Sequence, residues 1–207
     1  MSVGEVALSI EALRAKIRAI EGAPVGVHLV PSGIESVDTL LGGIVAPGLI
    51  EFSGLQGSGK SRLALSIVAH FTVQLGQRVA WLDAGHQLYP PAVSVLGVDL
   101  TKLIVVRPHK NRASWAAEQM VRSGCFSLVV LSGVGISPRS GVRFARAAER
   151  GRCSALMLSQ VSQRGYPAHQ RVHVSERELC LVRDRVGHGK TRTTLAPTTP
   201  IGVDPWL

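Results

Sequence analysis

The sequence predicts an α/β fold with a central, mostly parallel sheet that is flanked by helices. Short apolar runs alternate with amphipathic segments of helical length between residues 48 and 159, as in chains of repeated βα units. After residue 160 three shorter strand patterns follow, which we expect to be antiparallel strands at the C-terminal edge. The chain has 207 residues, 45% of them hydrophobic and 18% charged, so it is long enough for one globular core.

A glycine-rich loop joins the first buried strand of this pattern to a helix. Residues 54–61 fill every position of the pattern G-x-x-x-x-G-K-[ST]. Glycines allow backbone N–H groups to surround phosphate oxygens, Lys60 reaches the β- and γ-phosphates, and the Ser61 hydroxyl binds Mg²⁺. A plain glycine turn is the alternative, but the strand before and the helix after the loop favour phosphate binding. The expected nucleotide-binding residues are Gly54, Gln56, Gly57, Ser58, Gly59, Lys60 and Ser61.

We divide the chain into an N-terminal helical segment, 1–23, a core, 24–196, and a tail, 197–207. Ser2 and Glu5 have capping-box spacing, so the pattern predicts a helix over 3–21 that packs on the core or on a partner subunit. The tail ends in Trp206 and Leu207. Large apolar residues at the end of a polar tail favour partner docking, and folding back onto the core is the alternative.

The core pattern predicts each further element in order. Ser32 and Glu35 have capping-box spacing before a short helix that Gly42 and Gly43 end. Strands are predicted at 49–53, 78–83, 103–107, 125–131 and 155–159, and helices at 91–97, 112–123 and 141–150. The shorter strands that follow are predicted at 171–174, 178–183 and 191–195.

Positive charge is concentrated in the last third of the chain. The net charge is +9, and residues 139–207 hold 12 Lys or Arg against 5 Asp or Glu. Such a region favours a polyanionic partner, either nucleic acid or an acidic protein surface, with a solvated surface as the alternative. Candidate contacts with DNA or a partner are Arg139, Arg143, Arg146, Arg150, Arg164 and Arg171.

The cysteine content and the lack of targeting patterns also indicate the cellular compartment. The three cysteines have no C-x-x-C spacing, which fits reduced thiols and neither a disulfide framework nor a zinc site. The N-terminus has no signal-peptide pattern, and no apolar run approaches the roughly 20 residues of a membrane span. We therefore expect a cytoplasmic protein.

Four segments together resemble the RecA recombinase core. Residues 32–44 are similar to the family's S-T-G-x-x-x-L-D-x-x-L-G-G-G segment, and 81–88 to its F-I-D-A-E-H-A-L segment. Residues 96–103 also match, and 158–161 are similar to its I-N-Q-I segment. The resemblance covers about residues 30–195 and implies a RecA-like P-loop fold that binds ATP and Mg²⁺. It also implies that Gln160 senses the γ-phosphate.

Two expected acidic residues are replaced. Where the family has the glutamate that polarises the attacking water, this chain has Gly85. Aligned through Val129 and Val130, the place of the Walker B aspartate is Leu131. Asp83 or Glu51 could substitute from nearby. Because a lost general base typically costs about 10²–10⁴ in rate, we expect ATP hydrolysis to be weak or absent and have no confident catalytic residue to name.

With these two replacements and with the helical segment of residues 13–22 directly before the core, the chain resembles the ImuA group, the RecA-like accessory proteins of bacterial mutagenic translesion synthesis. That resemblance implies partners: RecA, an ImuB-like homologue of Y-family polymerases, and possible contact with DNA, in the cytoplasm at the nucleoid. It places the protein in the SOS response to DNA damage. One alternative is an active DNA-dependent ATPase that acts as a recombination mediator, and a weaker one is a small-molecule P-loop kinase.

Overall fold

The computed structural model describes residues 26–135, 137–162, 165–175, 179–182 and 192–195. The predicted helix over 3–21, the tail with Trp206 and Leu207, and Arg164 lie outside these residues.

Ten strands are described: β1 His28–Val30, β2 Ile44–Ala46, β3 Gly48–Ser53, β4 Val79–Asp83, β5 Leu103–Val106, β6 Leu128–Ser132, β7 Ser154–Ser159, β8 Gln170–Val174, β9 Leu179–Val182 and β10 Arg192–Leu195. The α-helices are α1 Glu35–Leu41, α2 Lys60–Ala69, α3 Pro90–Val95, α4 Ala113–Arg122 and α5 Pro138–Gly151. A π-helical turn, His70–Gln74, extends α2, and a 3₁₀ turn, Lys110–Arg112, precedes α4.

Eight of these strands form one sheet in the order β10-β9-β8-β3-β7-β6-β4-β5. The six strands from β8 to β5 are parallel, and β9 and β10 continue the sheet in antiparallel pairing. The predicted fold class, a mostly parallel sheet with antiparallel strands at the C-terminal edge, is therefore confirmed. None of the helices in the described ranges is long and apolar enough to span a bilayer.

Helices cover both faces of the parallel sheet and form two apolar layers. The first layer joins α1, α2 and α3 to side chains such as Phe52, Trp81 and Val130. The second joins α4 and α5 to side chains such as Leu82 and Leu131. Because side chains alternate between the two faces along a strand, consecutive residues of a strand pack into opposite layers.

A small antiparallel pair, β1 with β2, flanks α1, and the sequence pattern did not predict it. Each strand has only three residues, which is too short for an alternation signal. Gln170 holds this pair to the main sheet, because its side-chain amide donates to the Gly43 carbonyl at 2.7 Å and accepts from the Val45 N–H at 3.1 Å. The contact joins residues more than 120 positions apart.

The predicted capping box at α1 does not form. Helix α1 begins at Glu35 with Ile34 as its N-cap, and no side chain caps it. Ser32 makes a local turn, since its hydroxyl accepts from the Ile34 N–H at 3.1 Å, while Asp38 accepts from the Ser32 N–H at 2.8 Å. The predicted end of the helix is confirmed, because Gly42 adopts a left-handed φ of 76° that glycine tolerates best.

Helix α5 begins three residues before its predicted start at 141. Ser137 is its N-cap and forms a reciprocal capping box with Ser140, and Pro138 occupies the first turn. Serine at the N-cap and proline just after it are favoured because both suit a turn whose N–H groups have no partners within the helix.

Close packing of α4 against α5 leaves no room for a side chain at Gly151. A Cβ atom there would lie 2.0 Å from the Val121 carbonyl oxygen. We expect Gly151→Ala to lower the free energy of unfolding by about 1–3 kcal/mol, the typical cost of overpacking. The matched control is Gly135→Ala, because a Cβ there would meet no atom within 4 Å. Urea denaturation measures both, and equal effects would contradict this account.

Candidate functional site

The glycine-rich loop of residues 54–61, which the sequence predicts to bind phosphate and which we call the phosphate-binding loop, lies between β3 and α2, at the carboxyl edge of the parallel sheet. Gly57 and Gly59 adopt φ values of 85° and 84°, a region that glycine enters without steric cost. A Cβ at Gly54 would lie 2.3 Å from the Val174 carbonyl oxygen and 2.6 Å from Ser58 Oγ. The glycines of the motif therefore give the loop its shape and its close approach to β8.

The loop residues fit a bound phosphate. Lys60 Nζ donates to the Leu55 carbonyl oxygen at 3.0 Å, so the ammonium lies folded over the loop, and partial burial lowers its pKa. The Ser58 hydroxyl is buried and has no hydrogen-bond partner. Ser61 lies exposed in the first turn of α2. A phosphate would give Lys60 a stronger partner than a neutral carbonyl, and Ser61 would hold Mg²⁺ beside it.

At the end of β6, the residue on the face of the sheet that α2 covers is Ser132, whereas the resemblance to the family puts the Walker B place at Leu131. Leu131 is fully buried in the second layer, under α4 and α5, on the face opposite α2. Val130 belongs to the first layer, with α2, so alternation places Ser132 on that face too. Ser132 pairs in register with Asp83. Leu131, the aligned Walker B place, therefore points away from α2, and neither Leu131 nor Ser132 carries a carboxylate.

Gly85 lies in the turn after β4, beside the end of β6. A Cβ at Gly133 would lie 3.1 Å from the Gly85 nitrogen, which places the two turns side by side. A Cβ at Gly85 itself would meet only the Gln87 side chain, at 3.4 Å or more. The fold therefore has room for a side chain at this position, although the sequence supplies none.

Asp83 lies at the end of β4 and is fully engaged by its own loop. Its two carboxylate oxygens accept from the N–H groups of Gln87 and Leu88 at 2.9 and 3.0 Å. Arg107 Nε donates to the same carboxylate at 3.2 Å, and only 1% of Asp83 is exposed. These bonds hold the turn after β4, so Asp83 is not a free replacement for the missing acids.

Glu51 lies on the other face of the sheet and is also engaged. Its carboxylate accepts from Arg171 Nε at 3.0 Å and from the hydroxyls of Ser159 and Ser162 at 2.8 and 3.2 Å. Glu51 is fully buried, and its neighbours on β3, Ile50 and Phe52, belong to the layer of α2. Glu51 therefore points away from the phosphate-binding helix and does not substitute there.

Arg171 is buried, although the sequence predicted it as a surface contact. Only 5% of it is exposed. Besides its ion pair with Glu51, it donates to the Tyr166 carbonyl at 2.6 Å, and the Tyr166 ring lies 4.8 Å from its guanidinium. Burial raises the pKa of the Tyr166 hydroxyl, and the Glu51 carboxylate raises it further. The loop before β8 is thus fastened to the core by Arg171.

The other predicted contact residues that the structure describes lie on the surface. Gln160 is exposed directly after β7, at the same sheet edge as the phosphate-binding loop. The four arginines of α5 are exposed, and Arg143 forms an ion pair with Glu118 of α4. Within the described ranges, no ion pair engages Arg139, Arg146 or Arg150. No group of three or more His, Cys, Asp or Glu side chains there is arranged to hold a metal.

Comparison with known proteins agrees with this geometry. The family model of the RecA N-terminal domain matches residues 11–189. The chain belongs to the RecA family. Protein RecA of Acholeplasma laidlawii is 30% identical over 180 residues, which cover 84% of this chain and 54% of that protein.

Two further RecA proteins match over shorter stretches. Protein RecA of Fusobacterium nucleatum is 36% identical over 117 residues, 55% of this chain and 31% of that protein. Protein RecA of Thermotoga maritima is 33% identical over 138 residues, 65% of this chain and 38% of that protein. This RecA-family chain thus spans about half or less of the length of the curated relatives it matches.

Placing a carboxylate at Ser132 and, separately, at Leu131 tests whether these two residues lie on opposite faces of the sheet. We expect Ser132→Asp to tighten Mg²⁺–ATP binding about tenfold, in the range by which groups around a metal change its affinity. Leu131→Asp should instead lower the free energy of unfolding by more than about 3 kcal/mol, because it buries an unpaired charge. Calorimetric titration and urea denaturation give the two values.

The matched control is Ser132→Asn, which has the shape of aspartate without its charge. If Leu131→Asp remained stable and tightened Mg²⁺–ATP binding while Ser132→Asp did not, the assignment of faces would be wrong.

The buried ion pair is a second target. We expect Glu51→Gln to lower the free energy of unfolding by about 3–5 kcal/mol, because it leaves the Arg171 charge buried without its partner. Arg143→Gln, which breaks an exposed pair, should cost about 1 kcal/mol or less. The double variant Glu51→Leu/Arg171→Met should recover much of the loss, since apolar residues leave no charge unpaired. Additive losses in urea denaturation would exclude coupling between the two side chains.

Proposed function

We propose that this RecA-family chain is an accessory protein of DNA-damage-induced mutagenesis that binds ATP and Mg²⁺ at its phosphate-binding loop and hydrolyses ATP weakly or not at all. In this role it binds RecA and an ImuB-like polymerase homologue, as the ImuA group does, in the bacterial cytoplasm at the nucleoid. The proposal belongs with DNA repair, the SOS response and translesion synthesis.

The observation that carries the proposal is the loss of both acids at a site that otherwise keeps its shape. The glycine φ values, the folded Lys60 and the room at Gly85 all suit a nucleotide. Gly85 and Leu131 take the places where the family resemblance leads us to expect a general base and a metal-binding acid, and Ser132, which follows Leu131, carries no carboxylate either. The nearest carboxylates, Asp83 and Glu51, are held in structural ion pairs. A site of this kind supports binding better than turnover.

A nucleotide that is bound but not hydrolysed would act by stabilising the folded state of the protein. A ligand that binds only the folded state stabilises it in proportion to its concentration over its dissociation constant. Gln160 lies exposed at the same edge of the sheet and is the residue that we propose to sense the γ-phosphate. ATP would then order this edge for partner binding without being consumed.

The exposed arginines of α5 are the proposed contact surface for a partner or for DNA. Arg139 and Arg146 are exposed and form no ion pair with any described residue. Like charges on neighbouring helical turns repel one another, so an acidic or phosphate-bearing partner would relieve them. Contacts with phosphates would be independent of sequence and sensitive to salt.

The enzymatic function is tested by ATP turnover of the purified chain, with and without single-stranded DNA. We expect turnover no higher than that of Lys60→Ala, because no described carboxylate at the site is free to act as a base. Binding of fluorescent ATP should nevertheless be lost in Lys60→Ala. DNA-stimulated hydrolysis that disappears with Lys60 would overturn the proposal in favour of an active recombination mediator.

The partner is tested by co-sedimentation with RecA filaments on single-stranded DNA. We expect the chain to sediment with the filaments, and Arg139→Glu/Arg146→Glu to weaken this binding about tenfold or more, as removal of charged contacts typically does. Arg122→Glu, which changes an exposed charge at the end of α4, is the matched control. A chain that neither sediments with RecA nor alters its filaments would contradict this role.

A further inference from the structure

A pocket of about 460 Å³ lies at the amino edge of the parallel sheet, opposite the phosphate-binding loop. Its walls come from the turn before β4, the segment between α4 and β6, and the end of α5. A volume of this size suits a small molecule. No part of the proposed nucleotide site contributes to it.

Three arginines line this pocket: Arg78, Arg150 and Arg152. None of the lining residues is acidic, and no ion pair engages the three guanidinium groups within the described part of the chain. Three positive charges that share one concave site raise each other's energy unless an anion enters. The pocket is therefore an electrostatic site for an anion that the protein itself does not supply.

Arg152 is held in the pocket at a conformational cost. It follows α5 with a left-handed φ of 50°, at a position where helices usually have glycine. A residue other than glycine is strained in this region of φ. Glycine would end α5 without strain, so the structural role of this position does not require arginine.

Gln77 adds a neutral donor to the same wall. Its side-chain oxygen accepts from the Ser127 hydroxyl at 2.7 Å, which fixes the amide and leaves its NH₂ group to donate. Arginine and amide NH₂ groups are donors only in this arrangement. The polar lining therefore favours ligands with several acceptor oxygens.

The dipole of α5 explains only part of this arrangement. A cation near the C-terminus of a helix is favourable, which accounts for Arg150 and Arg152. Arg78 directly precedes β4, so its charge comes to the pocket from an element other than α5. Planar guanidinium groups from separate elements are the usual means of holding phosphate oxygens in two or more directions.

We propose that the pocket formed by Arg78, Arg150 and Arg152 binds a small phosphate-bearing ligand, of the size of pyrophosphate or a nucleotide, independently of the phosphate-binding loop. Cys125 lines the same pocket and is exposed, whereas Cys153 is buried and burial raises the pKa of its thiol to about 12. Cys125 is thus a reporter for occupancy of this site.

The test uses the full chain with Lys60→Ala, so that the phosphate-binding loop does not contribute. Pyrophosphate is titrated while iodoacetamide labels Cys125, which is followed by peptide mass spectrometry. We expect pyrophosphate to slow alkylation at least fivefold, and a nucleoside diphosphate to act in the same way if the natural ligand is a nucleotide. Calorimetry supplies the dissociation constant.

Arg152→Gly is the decisive variant, because glycine suits the left-handed backbone at that position and should leave the fold intact. It should weaken pyrophosphate binding about tenfold, as loss of one charge-assisted contact does, and Arg150→Gln should do the same. Arg112→Gln, an equal change of charge at the opposite end of α4, should have no effect.

Three outcomes would overturn the proposal. The first is alkylation of Cys125 that pyrophosphate does not slow. The second is equal binding by Arg152→Gly, Arg150→Gln and the Arg112→Gln control. The third is protection of Cys125 by an acidic peptide but not by pyrophosphate, which would assign the pocket to a protein partner.

Discussion

The arrangement of the site depends on the buried ion pair between Glu51 and Arg171. It links β3, which leads into the phosphate-binding loop, with β8 and with the loop that follows β7. Tyr166 stacks on Arg171 and fills the space that a Cβ at Gly141 of α5 would occupy. Removing one partner of such a pair leaves an uncompensated charge in a low-dielectric interior. Three elements around the site are therefore held by one electrostatic contact.

Structural contacts also engage both carboxylates that could act at the proposed nucleotide site, Glu51 and Asp83. Glu51 lies on the face of α4 and α5, where it compensates Arg171, and Asp83 lies on the face of α2, where it holds the turn after β4. Both acids are nearly or fully buried, and moving either toward a metal would break several hydrogen bonds. The two acids that could have replaced the missing ones are thus both held in contacts within the fold.

The exposed arginines of α5 lie along the helix from one edge of the sheet to the other. Arg139 begins the helix near the carboxyl edge of the sheet, and Arg150 ends it in the pocket at the amino edge. Between them Arg143 is compensated by Glu118 of α4. Within the described part of the chain, these positive charges therefore lie in two places, on the exposed face of α5 and in the pocket at its C-terminal end.

The sequence by itself determined the βα order and the glycine-rich turn between a strand and a helix, because these depend on short-range periodicity and on glycines at fixed spacing. Only the tertiary structure decided that Ser132 faces α2 in place of Leu131, since a shift of one residue along a strand reverses its face. It also decided that Arg171 is buried, because its partner is 120 positions away. Arg78 and Arg152 share a pocket for the same reason: parallel pairing brings together residues that no local pattern connects.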